Sequence, residues 1–214
     1  WILTFGLEVD KQDYNLNDFS VGIDLGIKDL AVVSYNNNKS KVYHNINKSK
    51  KVKYYKSKLK HVQRNLSRKY EKRKSENFYN KEHSKNEVRE IKKIESLSRK
   101  LTNIRDNYIH KITAEIINML PKRIVIENLR VSSMLKDKRL SEEIQEQCFY
   151  RFRQYLTYKC EEKGIELVLA DRFYPSSKTC SCCGNIKKTL RLSDRTYICD
   201  KCGLTIDRDL NAAI

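Results

Sequence analysis

The sequence predicts an α/β protein: a mixed sheet with flanking and inserted helices, followed by a small four-cysteine zinc ribbon. Two observations carry this. Short β-branched and aromatic runs of strand length lie on both sides of long stretches whose apolar residues recur at three and four. Near the end, two CxxC pairs stand fifteen residues apart, a metal-ligand spacing.

Taken in order, "WILTFGLEV" alternates enough for a short strand, and Asp10 to Phe19 is polar and turn-like. "SVGIDLGI", "LAVVSY" and "KVYHNI" have short polar gaps between them and predict a three-stranded meander from about Ser20 to Ile46. The stretch "KSKKVKYYKSKLKHVQRNLSRKYEKRK" is strongly basic with interleaved tyrosines, which predicts a solvated helix, then a loose loop near Asn77 to Asn86. A second helix carries Val88, Ile91, Ile94, Leu97, Leu101, Ile104, Tyr108, Ile112, Ile116 and Leu120 on one stripe, and Pro121 stops it. "RIVIENL" is nearly continuous in apolar residues, as a strand buried on both faces would be. Ser141 is placed to cap a single helix ending at Gly164, and "IELVLADRF" supplies a fifth strand.

The chain of 214 residues holds 44 Lys and Arg against 27 Asp and Glu, a net charge of +17. Such a surface attracts polyanions, nucleic acid foremost. The absence of a long apolar run argues against a membrane protein, and the default location is cytoplasmic. Seven cysteines, four of them in CxxC pairs, fit a reducing compartment and a metal site better than a disulfide framework. The first residue is Trp1 and the last lie in a helix-forming run, so the sequence reads as a piece of a longer protein.

Three acidic positions stand out. Asp24 sits mid-strand between Ile23 and Leu25 and therefore points to the opposite face from both. Glu127 ends the run "RIVIE", and Asp207 and Asp209 precede the alanine-rich "LNAAI". Each alone reads as a surface acid or a helix cap. Together they suggest oxygen ligands for two Mg²⁺ ions about 4 Å apart, the arrangement that hydrolyses phosphodiesters. Two residues apart on a helix, Asp207 and Asp209 face differently, so one serves. Asp209 is the choice, with Asp207 kept as the alternative.

Cys180, Cys183, Cys199 and Cys202 predict a closed four-thiolate zinc, structural because it leaves no open position for substrate. Gly184 and Gly203 follow each pair, where tight turns could aim backbone N–H groups at sulfur. Cys182 would form a tighter CxC loop and is set aside. Cys148 and Cys160 read as core thiols.

"GIDLGIKDLAV", "NIRDNYIHKIT", "IVIENL", "DRFYPSSKTCSCCG" and "CDKCGLTIDRDLNAAI", in this order, closely resemble the RuvC-like nuclease and zinc-finger region of the TnpB (OrfB) proteins of insertion sequences, relatives of the type V CRISPR effectors. The resemblance implies an RNase H-like fold and a metal-dependent, RNA-guided DNA endonuclease, with a guide RNA and a target DNA as partners. It implies Asp24, Glu127 and Asp209 as the catalytic carboxylates and the four cysteines as the zinc ligands. It divides the chain into the end of a missing β-barrel domain and linker (1–19), a RuvC-like domain (20–175) with a basic helical insertion (about 48–120), a zinc-finger insertion (176–204) and the start of a last helix (205–214). The basic stretch would hold a guide–target duplex, with Tyr54 or Tyr55 stacking on a base. The competing readings are a non-catalytic nucleic-acid-binding module and a transposase that itself joins strands.

Overall fold

The computed structural model describes residues 3–6, 12–35, 39–75, 82–171, 173–191 and 193–214. Its centre is a five-stranded sheet of order β3-β2-β1-β4-β5, made of β1 (Asn17–Leu25), β2 (Asp29–Tyr35), β3 (Lys39–His44), β4 (Pro121–Glu127) and β5 (Glu166–Ala170). The first three strands are antiparallel neighbours, as a meander requires, whereas β1, β4 and β5 run parallel. Parallel neighbours need long crossovers. Helices α1 (Lys50–Ser75) and α2 (Lys85–Ile117) make the first, and α3 (Val131–Met134), α4 (Ser141–Gln147) and α5 (Phe149–Lys163) make the second. The mixed α/β class read from the sequence is the class observed.

One face of the sheet builds the core. Val21, Ile23 and Leu25 of β1, Val33 of β2 and Ile124 and Ile126 of β4 pack under Ile109, Ile112 and Ile116 of α2 and Phe152 and Leu156 of α5. By strand alternation Ser20, Gly22 and Asp24 point to the other face, covered by α6 (Arg208–Ala213). Helices α1 and α2 form an antiparallel hairpin, joined along its length by Lys100 over the Tyr55 ring, the Lys69–Glu90 ion pair and the Arg73–Glu87 ion pair. In α1 only Val52 and Leu66 are buried, which leaves most of its basic residues in solvent. No helix among the described residues is long and apolar enough to cross a membrane.

Several elements depart from the sequence expectations. Strand β1 begins at Asn17, inside the segment read as a turn, because the Asn17 side chain and backbone N–H both reach carbonyls at the end of the α2 segment, those of Met119 and Leu120. Leu3–Gly6 form no strand, and the remainder of "WILTFGLEV" lies outside the described residues, as do residues 77–81 of the loop. Asn86 belongs to α2, whose start is fixed by a reciprocal capping box between Ser84 and Glu87. Helix α2 ends at Ile117, before Pro121, which opens β4 instead, and Val88 of the apolar stripe is exposed. Strand β4 is buried mainly on its core face. The single helix from Ser141 to Gly164 breaks at Cys148, a non-glycine residue at φ 54°, so the chain turns between α4 and α5. Cys160 is a core thiol, held up at about 12 by burial, whereas Cys148 is half-buried at the break.

Candidate functional site

The sequence separates Asp24, Glu127 and Asp209 widely, and the fold brings them together. Asp24 and Glu127 lie near the ends of adjacent parallel strands whose register pairs Ile23 with Ile126, one residue earlier in each. The two carboxylates therefore stand side by side on the face away from the core, about one strand spacing (~4.8 Å) apart at the backbone. Asp209 arrives from above on α6. That approach is close: a Cβ built on Gly22 would lie 1.9 Å from the Ala213 carbonyl oxygen, so α6 can seat over β1 only where the strand has no side chain.

Three negative groups in a partly dry setting repel. Burial first, then the charges of Glu127 and Asp209, push the Asp24 carboxyl up to about 8 from its usual 3.8, and Arg208 opposes the rise. Other groups fix the acids in place. Ser176 Oγ donates to Glu127 Oε1 at 3.0 Å, and the Arg208 guanidinium pairs with Asp209 at 3.0 Å. The turn after Asp24 is held by Asn45 and Gln147, whose side-chain amides each donate to the Ile27 carbonyl at 2.8 Å.

The alternative acid has another task. Asp207 is the N-cap of α6, its Oδ1 accepting from the backbone N–H groups of Asp209 and Leu210 at 3.0 and 3.1 Å. Its side chain is occupied there, and Asp209 is the residue whose charge is felt at Asp24.

The four cysteines converge more tightly. Their sulfurs all lie within 4.8 Å of one another, with Cys180–Cys202 and Cys183–Cys199 each at 3.6 Å. A tetrahedral Zn–S₄ centre with bonds near 2.3 Å sets its sulfurs about 3.8 Å apart, so the donor set fits zinc with little movement. Among the described residues this is the sole group of three or more His, Cys, Asp or Glu donors close enough to share one ion. Gly184 and Gly203 turn the chain at φ 69° and 73°. Their N–H groups bond to the carbonyls of Cys180 and Cys199, while sulfur is reached by Lys201 and Cys202. Those N–H groups, Cys202 first, hold the Cys199 thiol down at about 6. Tyr197, fully buried at the middle of β6 (Thr196–Ile198), which pairs with β7 (Thr205–Asp207), donates to the Lys178 carbonyl and forms the small core beneath the sulfurs. Cys182 is exposed, outside the group of four.

Gly22, Gln147, Ser176 and Asn211 were given no part by the sequence. Only Gly22 left a signal, a glycine in mid-strand two residues before a candidate acid.

Comparison with known proteins adds the following. The family OrfB_IS605, described as "Probable transposase", matches residues 7–138, and "Cas12f1-like, TNB domain" matches residues 149–214. A Streptomyces pristinaespiralis protein with the provisional name RNA-guided DNA endonuclease is 32% identical over 194 residues, covering 91% of this chain and 43% of the relative. InsQ of Escherichia coli, similarly named, is 31% identical over 208 residues, 90% of this chain and 47% of its own. The chain thus spans less than half the length of these two relatives. A cryo-EM structure of a Cas12f1-sgRNA-target DNA complex shares the fold, with a TM-score of 0.63 at 20% identity over 94% of this chain and 50% of that one.

Proposed function

Because the chain belongs to the OrfB family of insertion-sequence proteins, we propose that it is the catalytic part of a transposon-encoded, RNA-guided DNA endonuclease that depends on divalent metal. The observation that carries the reading is the convergence of Asp24, Glu127 and Asp209 on one sheet face, with the Asp24 carboxyl pushed up to about 8 by burial first and then by the charges of the other two. A set of mutually repelling acids favours a cation between them.

Two Mg²⁺ ions bound there would polarise a water for attack on the phosphodiester and stabilise the departing oxygen. Asp24 and Glu127 serve as ligands from the rigid sheet, and Asp209 closes the set from the helix. Ser176 keeps Glu127 in one rotamer, and Arg208 restrains Asp209. Zinc at Cys180, Cys183, Cys199 and Cys202 is structural, since four thiolates leave no open position. The guide RNA and target DNA are held through phosphate by the basic face of α1, where Lys60, Arg64 and Arg68 line a shallow groove. Tyr54, exposed on that helix, is the base-stacking candidate, because Tyr55 is covered by Lys100.

The test uses the whole reading frame expressed with its flanking DNA. RNA that co-purifies is sequenced, and DNA matching its variable end is assayed for Mg²⁺-dependent cutting by the parent and by Glu127→Ala. The expected result is cutting that needs matched RNA and Glu127, with guided binding retained in the variant. Guided binding without any cutting by the parent would replace this reading with that of an RNA-guided binder, and joined strands with that of a transposase.

A further inference from the structure

A short strap connects the two sites. After β5, the chain makes a 3-10 turn at Ser176–Lys178 and enters the cysteine ribbon at Cys180. At its start Ser176 holds the Glu127 carboxylate. At its end it is gripped by Asn211 of α6, which is 3% exposed. Asn211 Nδ2 donates to the Thr179 carbonyl at 2.7 Å, and its Oδ1 accepts the Ser181 N–H at 3.0 Å. Both atoms of one buried amide thus bracket Cys180, whose own N–H is turned inward to the Asn185 carbonyl. Asp209 lies two residues before Asn211 on the same helix, so the peptide around a thiolate ligand and the backbone carrying a carboxylate are fastened together.

We propose that Asn211 is a positioning residue that couples the two metal sites, making divalent-cation binding at Asp24, Glu127 and Asp209 depend on zinc at the four cysteines. The inference rests on the carboxylate set holding metal, as argued above. With zinc in place, the loop from Cys180 to Cys183 has one shape, and the Thr179 carbonyl and Ser181 N–H present the spacing that the Asn211 amide spans. Without zinc the four sulfurs lose their common partner, the strap is free to change shape, and the amide loses one or both bonds. Helix α6, six residues long and seated on β1 by the Gly22 contact, then no longer holds Asp209 over Asp24. Ser176 carries the same loosening to Glu127. Two of the three acids are therefore tied to the ribbon, and Asp24, on the sheet, is not.

The experiment measures Mn²⁺ binding to the 214-residue chain by the loss of the free-ion electron paramagnetic resonance signal, in zinc-loaded protein and in protein stripped by a zinc-selective chelator. Mn²⁺ prefers oxygen ligands and leaves empty thiolates alone. Stripping zinc is expected to weaken Mn²⁺ binding about tenfold in the parent, within the usual range of coupling between linked sites. In Asn211→Ala, Mn²⁺ binds weakly whether zinc is present or not, while the thiolate-to-Co²⁺ absorption bands show that the four-sulfur site still forms. Asn211→Asp keeps the acceptor for Ser181 and loses the donor to Thr179, so it falls between, and it replaces the alanine variant if that one fails to take up Co²⁺. Equal zinc dependence in parent and variant, or none in the parent, overturns the coupling alone. If Asp24→Asn leaves Mn²⁺ binding to the zinc-loaded chain unchanged, the carboxylates do not hold the ion, and the coupling falls together with the nuclease reading.

Discussion

The four cysteines and the three carboxylates are gathered in opposite ways. The cysteines come in two local pairs, each followed by a glycine turn, and backbone N–H groups already favour thiolate at Cys199. The acids come from two strands and a helix, and nothing local brings them together. They meet because a parallel register sets Glu127 beside Asp24 and because Gly22 lets α6 descend. The cysteine ribbon has a small core, Tyr197 and two buried cysteines with a few half-buried neighbours, so on the proposed reading its stability leans on zinc. The carboxylate set is built on a large core, and on the proposed reading its crowded acids await a cation.

The largest expected effect separates the two on this ground. Structural zinc contributes on the order of 10 kcal/mol to small ribbons. Removing it, or making Cys199→Ser, is expected to abolish hydrogen-exchange protection at Tyr197 and its ribbon neighbours and to spare β1 and β4. Protection of Tyr197 that survives zinc removal would put the ribbon's stability in its apolar contacts.

Next in size is Gly22→Ala, which attacks the second site at its seating. The added methyl would meet the Ala213 carbonyl at 1.9 Å, and backbone cannot yield as a flexible side chain can. The expected loss is roughly 3 kcal/mol, the upper part of the range for overpacking, read as a lower denaturation midpoint. Divalent-cation affinity falls with it because Asp209 is lifted from Asp24. An alanine variant with unchanged cation affinity would mean that α6 tolerates the shift.

A smaller effect, of opposite sign, comes from Asp24→Asn. The folded-state carboxyl titrates near 8 against 3.8 when unfolded, so the metal-free fold binds that proton more tightly. Its stabilising effect is fully present below pH 3.8 and is lost as pH rises through about 8. The variant carries no such charge and should be more stable than the parent above pH 8, with the gap closing toward pH 4. In the parent, Mg²⁺ should bind more tightly with each unit of pH up to about 8, as the proton it displaces becomes easier to release. Denaturation curves at pH 4, 6 and 9 with and without Mg²⁺ check both statements. A parent more stable than the variant at pH 9 without metal would show that the acids are not in conflict.

The same contrast explains what could be read in the sequence. CxxC spacing is a local signal, and Cys180, Cys183, Cys199 and Cys202 were legible because each pair is one turn. Strand alternation gave the face of Asp24, and the apolar run before it gave Glu127 as a strand end. Which acids meet depends on sheet order and register, which no short stretch encodes; there the resemblance to a family supplied what periodicity could not. Residues whose role depends on contact between distant segments, Ser176 on Glu127 and Asn211 on the strap, were invisible for the same reason. The departures from the local pattern have the same origin. The strand start at Asn17 is fixed by carbonyls more than a hundred residues later, and no local residue marks the left-handed backbone at Cys148.

Asp207 and Asp209 give the smallest stability effect and the sharpest division of roles, because they stand two residues apart at the head of one helix. Asp207 accepts two backbone N–H groups that α6 cannot otherwise satisfy, so Asp207→Ala should cost about 1 kcal/mol, the usual value of an N-cap. Asn or Ser at that position should restore most of it, since either offers the same acceptor without the full charge. Asp209 makes no cap, and its carboxylate pairs with Arg208 and acts on Asp24, so Asp209→Ala should leave the midpoint nearly unmoved or raised, by relieving repulsion. Cation binding should respond in the reverse order, falling steeply in Asp209→Ala and only modestly in Asp207→Ala. If Asp207→Ser fails to recover cation affinity while Asp209→Ala retains it, the two aspartates exchange roles, and α6 must turn when metal binds.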